Sequence, residues 1–120
     1  PEDLRRACET QAKSHLVHLR QGFIEAAGKP REIGELVRSS APAFAALLRN
    51  VARLHGVTVG DRAAVTREGA RVAGLTAPVV TTVLALEQPA GVGSTDASRL
   101  FPEYLATVGQ LAAFVDSWRA

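Results

Sequence analysis

The sequence predicts an all-α protein, a single up-and-down bundle of about five helices that occupies residues 1–120 as one domain. Its 120 residues include 21 Ala and 13 Leu, two residue types that favour helix. Apolar residues recur every three or four positions over long stretches, which is the spacing of one face of an α-helix. Such faces must be buried against one another, so we expect successive helices to pack antiparallel in a bundle.

The charge balance and the cysteine count exclude several classes of protein. Fourteen Lys and Arg oppose twelve Asp and Glu, a formal charge of +2, and only six residues are aromatic. Nucleic acid is therefore disfavoured as a partner, because its binding sites combine a denser basic surface with aromatic side chains. The one cysteine, Cys8, cannot form an internal disulfide, which favours a cytoplasmic protein. No apolar run approaches the ~20 residues of a spanning helix, so no membrane partner is expected.

The chain contains no Met and begins at Pro1, followed by two acidic residues. Proline in the first turn and acidic residues beside it are typical of the start of a helix. We therefore interpret the sequence as a C-terminal fragment of a longer protein, the alternative being a processed chain.

The first long helix is predicted over residues 3–27 and ends at Gly28. Its apolar residues form one stripe, with basic side chains on the opposite side. The members of the stripe are Leu4, Cys8, Ala12, Leu16, Leu19, Phe23 and Ala27.

The second long helix is predicted over residues 31–55. Its apolar stripe keeps the same angular phase on both sides of Pro42, which predicts one helix with a kink at this solvent-facing proline. The alternative is that Ser39 or Ser40 caps a new helix.

Shorter elements are predicted after a turn at residues 56–60. Asp61 is placed to cap a helix that reaches residue 73. The thin apolar stripe of this helix consists of Val65, Gly69 and Val72.

The last third of the chain is predicted to contain two more helices. Residues 76–86 begin with a capping Thr76, and their β-branched residues would suit a strand, but a lone strand has no partner, so helix is preferred. Residues 89–95 are predicted to be a loop. A final long helix then follows Ser98 as its cap, with an apolar face that extends to Trp118.

Three local patterns suggest chemistry but have simpler interpretations. His15 and His18 lie three residues apart and could share a metal, yet no third ligand accompanies them at ligand spacing. We predict no metal and no cofactor, with His15 buried and hydrogen-bonded and His18 exposed. Cys8 lies on the apolar stripe without a base and is interpreted as an inert core thiol. Residues 91–96 lack the Lys of a phosphate-binding loop and are interpreted as a linker.

Four arginines are candidates for an anion-facing patch between the first two helices: Arg5, Arg20, Arg49 and Arg53. The planar guanidinium group presents several donors to phosphate or carboxylate. Solvated helix faces also carry arginine, so both interpretations stay open at this point.

The segment RNVARLH contains Arg49, Asn50 and His55. It resembles the RNase motif of HEPN proteins, helical domains in which an Arg, often followed by a polar residue, precedes a His by a few positions. The resemblance implies that these three residues cleave RNA without a metal, or that the chain is an inactive relative. Projection places Arg49 and His55 about 120° apart, with His55 beside Phe44 and Leu48. This favours a histidine in the core or at the helix end.

Two stretches carry a second resemblance. The first contains Leu4, Arg5, Arg6, Glu9, Leu19, Arg20, Leu36, Ser40, Pro42, Leu54 and Gly56, and the second is LFPEYLATVGQLAAFVD at residues 100–116. Together they resemble the helical domain that follows the catalytic domain in a group of bacterial nucleotidyltransferase-like proteins. Ala7 departs from the family pattern, in which a polar residue is expected.

The second resemblance implies a non-catalytic accessory domain. Such a domain would help to choose the acceptor, cover the active site or pair two subunits as a homodimer. Its partner would be the N-terminal nucleotidyltransferase domain of the same polypeptide. The Asp-x-Asp pair that holds the metal ions of a nucleotidyltransferase does not occur in this sequence.

Overall fold

The computed structural model describes residues 2–57, 60–75, 80, 83 and 99–117, and its regular structure over these residues is entirely helical. The four helices bounded within them are α1 (Glu2–Ala26), α2 (Pro30–Leu54), α3 (Arg62–Val72) and α4 (Phe101–Ser117). The predicted all-α class is thus confirmed. None of the helices in this part of the chain combines the length and apolar character that crossing a membrane requires.

The end of α1 is fixed by two residues in the left-handed region of backbone conformation. Ala27 has a φ of 51° and Gly28 a φ of 79°. Glycine adopts this conformation without a Cβ clash, which is why helices so often end beside it. The predicted end of the first helix at Gly28 is confirmed.

The second helix continues through Pro42, as its unbroken apolar stripe predicts. Pro42 lies inside α2 on the exposed side, where its missing N–H donor is tolerated. The alternative of a new helix capped by Ser39 or Ser40 is wrong. Both hydroxyls donate backward to carbonyl oxygens, Ser39 to Leu36 at 3.2 Å and Ser40 to Val37 at 2.9 Å.

Helix α3 begins at the predicted cap. The side chain of Asp61 accepts a hydrogen bond from the backbone N–H of Ala64 at 2.8 Å. The predicted apolar stripe is partly wrong, because Val65 and Val72 are only half-buried. Gly69 is buried as predicted and Val72 packs against the core from its edge, but the other buried residues of α3 are Thr66 and Ala70.

Replacement of the cap tests how much it stabilises α3. We expect Asp61→Ala to lower the free energy of unfolding by about 1 kcal/mol, because the Ala64 N–H loses its acceptor. Asp61→Asn keeps a side-chain acceptor and should cost at most a few tenths of a kcal/mol. Urea unfolding of both variants measures the difference, and an equal loss in the two would show that capping is not the cause.

Neighbouring helices pack antiparallel. Asn50, near the end of α2, donates a hydrogen bond to Gln11 in the first half of α1, and Leu48 in the second half of α2 lies against Gly69 of α3. Helix α4 packs against α1, with Phe101 stacked on Phe23 at a ring-centroid distance of 4.7 Å. The helices therefore lie in the spatial order α3, α2, α1, α4.

The core lies where α1, α2 and α4 meet. Its largest fully buried side chains are Tyr104, Phe44, Leu19, Leu48 and Leu111. Several predictions for the last third of the chain lie outside the described residues: the loop at 89–95, the linker at 91–96, the cap at Ser98 and the position of Trp118. Of the helix predicted at residues 76–86, only Val80 and Val83 are described, and both are helical and buried.

Candidate functional site

A chain of buried hydrogen bonds joins three helices in the core. His15 Nε2 lies 2.8 Å from the hydroxyl of Tyr104, and that hydroxyl lies 2.7 Å from Ser40 Oγ. Ser40 in turn donates to the carbonyl oxygen of Val37. The prediction of a buried, hydrogen-bonded His15 and an exposed His18 is confirmed.

One arrangement of the protons satisfies all three of these hydrogen bonds at once. Because Val37 O can only accept, the Ser40 hydroxyl donates to it and accepts from Tyr104. The Tyr104 hydroxyl has then used its one proton, so it accepts from His15 Nε2. The network therefore assigns the proton of neutral His15 to Nε2 and leaves Nδ1 without one.

The His15 ring is held in place by aromatic neighbours. It stacks on Phe44 at a centroid distance of 6.0 Å, and the edge of Tyr104 completes the cage at 6.1 Å. Burial, with a smaller contribution from neighbouring His18, lowers the pKa of His15 from 6.5 to about 4. Burial also raises the pKa of Tyr104. Both groups are therefore neutral at pH 7.

His15 forms part of the floor of a groove of about 430 Å³ between α1 and α2. The α1 side presents polar groups, among them Gln11 and Ser14, and His18 lies at its rim. The α2 side presents Ala46 and Leu47. The groove is thus polar on one wall and apolar on the other.

A second concave site lies where α2 ends and α3 begins. Three arginines, Arg49, Arg53 and Arg62, line this arginine pocket, whose volume is about 450 Å³. Arg49 Nη1 donates to Thr66 Oγ1 at 3.3 Å, and Arg53 Nη1 donates to Asn50 Oδ1 at 2.8 Å. The antiparallel packing of α2 and α3 therefore concentrates three guanidinium groups on one surface.

The four arginines predicted as an anion-facing patch do not all lie together. Arg49 and Arg53 share the arginine pocket, whereas Arg5 forms ion pairs with Glu2 at 3.1 Å and Glu9 at 2.9 Å on its own helix. Arg20 is exposed about 22 Å farther along α1 than Arg5.

The residues of the HEPN-like motif have separate partners. Arg49 contacts Thr66, while Asn50 donates to Gln11 at 3.0 Å. His55 is exposed at the end of α2, so its projection onto the apolar face beside Phe44 and Leu48 is wrong and the predicted alternative of a histidine at the helix end is confirmed. The reason is that α2 ends at Leu54, and His55 follows as the capping residue, where the helical projection no longer applies.

The remaining candidates are Cys8 and the metal ligands. Cys8 is fully buried on α1, and burial raises the pKa of its thiol, which keeps it in the unreactive protonated form. Across the described ranges, no three His, Cys, Asp or Glu side chains converge in a way that could hold a metal ion.

Sequence reasoning missed three residues of these sites. Tyr104 and Arg62 were not singled out, and Ser40 was named only as a possible helix cap and as part of the resemblance to the accessory domain. A signal for Arg62 was present, since an antiparallel α2–α3 pair joined by a short turn brings the first residue of α3 beside the last turns of α2.

Comparisons with known proteins identify no relative. No family model, no curated protein and no solved structure matches the chain.

Proposed function

We propose that this chain is a non-catalytic accessory domain of a nucleotidyltransferase-like protein and that it binds a phosphate-bearing acceptor through the arginine pocket. The observation that carries the proposal is the convergence of Arg49, Arg53 and Arg62 on one concave surface. The resemblance of residues 4–56 to the accessory domain of such proteins supports the same function.

The chemistry of the arginine pocket suits phosphate oxygens. Guanidinium groups remain charged at any ordinary pH and donate two parallel hydrogen bonds to a phosphate. Arg53 and Arg62 are exposed, and the ion pairs seen among the described residues involve neither of them. Asp61, the acidic residue beside Arg62, is engaged as the cap of α3. A phosphate group would thus meet a positive surface.

The wider proposal keeps the architecture and partners that the sequence predicts. The proposed fold is a single up-and-down bundle of about five helices. The domain acts in the cytoplasm beside the N-terminal nucleotidyltransferase domain of the same polypeptide, and two copies can pair as a homodimer. The antiparallel packing of the described helices supports the bundle.

Charge removal at the arginine pocket tests the proposed acceptor site. We expect Arg53→Gln/Arg62→Gln to weaken ATP binding about tenfold or more, because each charge-assisted hydrogen bond to phosphate contributes ~1.5–3 kcal/mol. Isothermal titration at low salt measures the affinity.

The matched control is Arg20→Gln/Arg31→Gln, which removes the same charge from exposed positions outside the pocket. It should change ATP affinity less than about twofold, which is the size expected of screened surface charge. Equal weakening in both variants would contradict a defined site and indicate attraction to net charge alone.

The second candidate function is an HEPN-type RNase, and one observation favours it. His55 is exposed at the same end of α2 as Arg49, so its imidazole is accessible to a substrate. Cleavage of RNA by the chain that disappears in Arg49→Ala/His55→Ala would establish this function and overturn the non-catalytic proposal.

A further inference from the structure

The groove between α1 and α2 contains a hydrogen-bond acceptor that nothing in the core uses. His15 is only 8% exposed, and its single side-chain hydrogen bond is made by Nε2. Among the described residues, no buried side-chain nitrogen or oxygen lacks a partner. His15 Nδ1 therefore retains access to solvent, and it does so at the groove that the ring lines.

This acceptor is held in one protonation state and one orientation. The chain of buried hydrogen bonds that ends on Val37 O keeps the His15 proton on Nε2. The stacked ring of Phe44 fixes the plane of the imidazole. Rotation of the ring would break the bond to Tyr104, which is itself fully buried. A ligand that donates to Nδ1 would thus find the acceptor already oriented, which reduces the entropy lost on binding.

The rest of the groove suits a neutral ligand. The described residues that line it include no carboxylate, ammonium or guanidinium group, and the one ionisable side chain besides His15 is His18. Its α2 wall consists of Ala43, Ala46 and Leu47, against which an apolar body can pack. Its volume of about 430 Å³ lies within the range of small-molecule sites.

We propose that this groove binds a small neutral molecule of the indole class, in which an N–H donor projects from a flat apolar ring system. The N–H donates to His15 Nδ1, and the ring packs on the α2 wall. The hydroxyl and carboxamide groups of Thr10, Gln11 and Ser14 are available to polar substituents at the ring edge. This site shares no lining residue with the arginine pocket, so the two proposals are tested independently of each other.

Indole itself is the probe, and benzofuran is its matched control, because it has the same bicyclic shape with an oxygen in place of the N–H. Titrations are followed by the amide and imidazole NMR signals of the full chain. We expect indole to bind with a dissociation constant on the order of 1 mM, as its few heavy atoms allow. Benzofuran should bind about tenfold more weakly, because it leaves Nδ1 without a donor.

Two variants locate the binding. Ala43→Leu adds volume on the exposed edge of the groove without touching the buried hydrogen-bond chain, and it should weaken indole binding about tenfold or more. Ala63→Leu makes the same change on an exposed position of α3 and should leave binding unchanged within about twofold.

Four results would overturn the proposal. One is equal affinity for indole and benzofuran. Another is an equal change of indole affinity in Ala43→Leu and Ala63→Leu. The third is a nitrogen spectrum of His15 in which Nδ1 rather than Nε2 carries the proton. Absence of any indole-induced shift at millimolar concentration would have the same meaning.

Discussion

Gly69→Ala will lower the free energy of unfolding by about 3 kcal/mol, because the added methyl group collides with the backbone of the neighbouring helix. A Cβ at residue 69 would lie 1.9 Å from the carbonyl oxygen of Leu48 and 2.6 Å from its carbonyl carbon. A backbone carbonyl inside α2 cannot rotate away from this contact. The two helices must therefore separate, which exposes apolar surface that both now bury.

Gly109→Ala provides the matched control on α4. A Cβ at residue 109 would meet no atom within 4 Å, so the substitution only removes backbone freedom from the unfolded chain. It should raise the free energy of unfolding by about 0.5–1 kcal/mol. Urea unfolding of both variants gives the comparison, and a small effect of Gly69→Ala would mean that α3 does not pack as closely on α2 as the structure shows.

Acidification from about pH 7 to about pH 4 will lower the free energy of unfolding by about 3 kcal/mol through His15. The folded protein holds the pKa of this residue at about 4, against 6.5 for an unburied histidine. The unfolded chain therefore takes up the proton first as the pH falls. The contribution is fully present above pH 6.5, is lost through the window between 6.5 and 4, and changes no further once both states are protonated.

Unfolding midpoints in urea, measured at half-unit steps of pH, test this dependence. His15→Gln should remove most of the slope in the window, whatever its effect at neutral pH, while His18→Gln at an exposed position should keep it. The carboxyl groups of Glu2, Glu9 and Glu68 add to the loss only below 4.5, because hydrogen bonds from basic side chains lower their pKa values. An unchanged slope in His15→Gln would contradict the assignment.

Helix positions were predictable because they depend on patterns of period 3.6 that a single sequence contains. The unbroken stripe through Pro42 correctly predicted that α2 is one helix, and Gly28 correctly predicted the end of α1. The buried face of α3 was not predictable from hydrophobicity, because it depends on size. Periodicity placed Gly69 on the stripe of α3, but it could not reveal that the backbone of α2 approaches closely there.

The candidate sites were predictable only in part, because each is assembled from distant segments. The burial of His15 follows from its place on the apolar stripe of α1. Its partners Tyr104 and Ser40 come from two other helices, and their pairing depends on the rotation of each helix about its axis. The arginine pocket likewise needed the angle between α2 and α3, which brings Arg62 to Arg53.

The spatial order of the helices has a kinetic consequence. Only a few residues separate α1 from α2 and α2 from α3, whereas α4 must return to α1, and Tyr104 and His15 are separated by 89 residues. Contacts between distant segments form more slowly than local ones, so the three-helix part of the chain should assemble before α4 docks. Until α4 docks, His15 and Ser40 lack the Tyr104 hydroxyl as a partner, so this buried polar chain should be completed only in the last step of assembly.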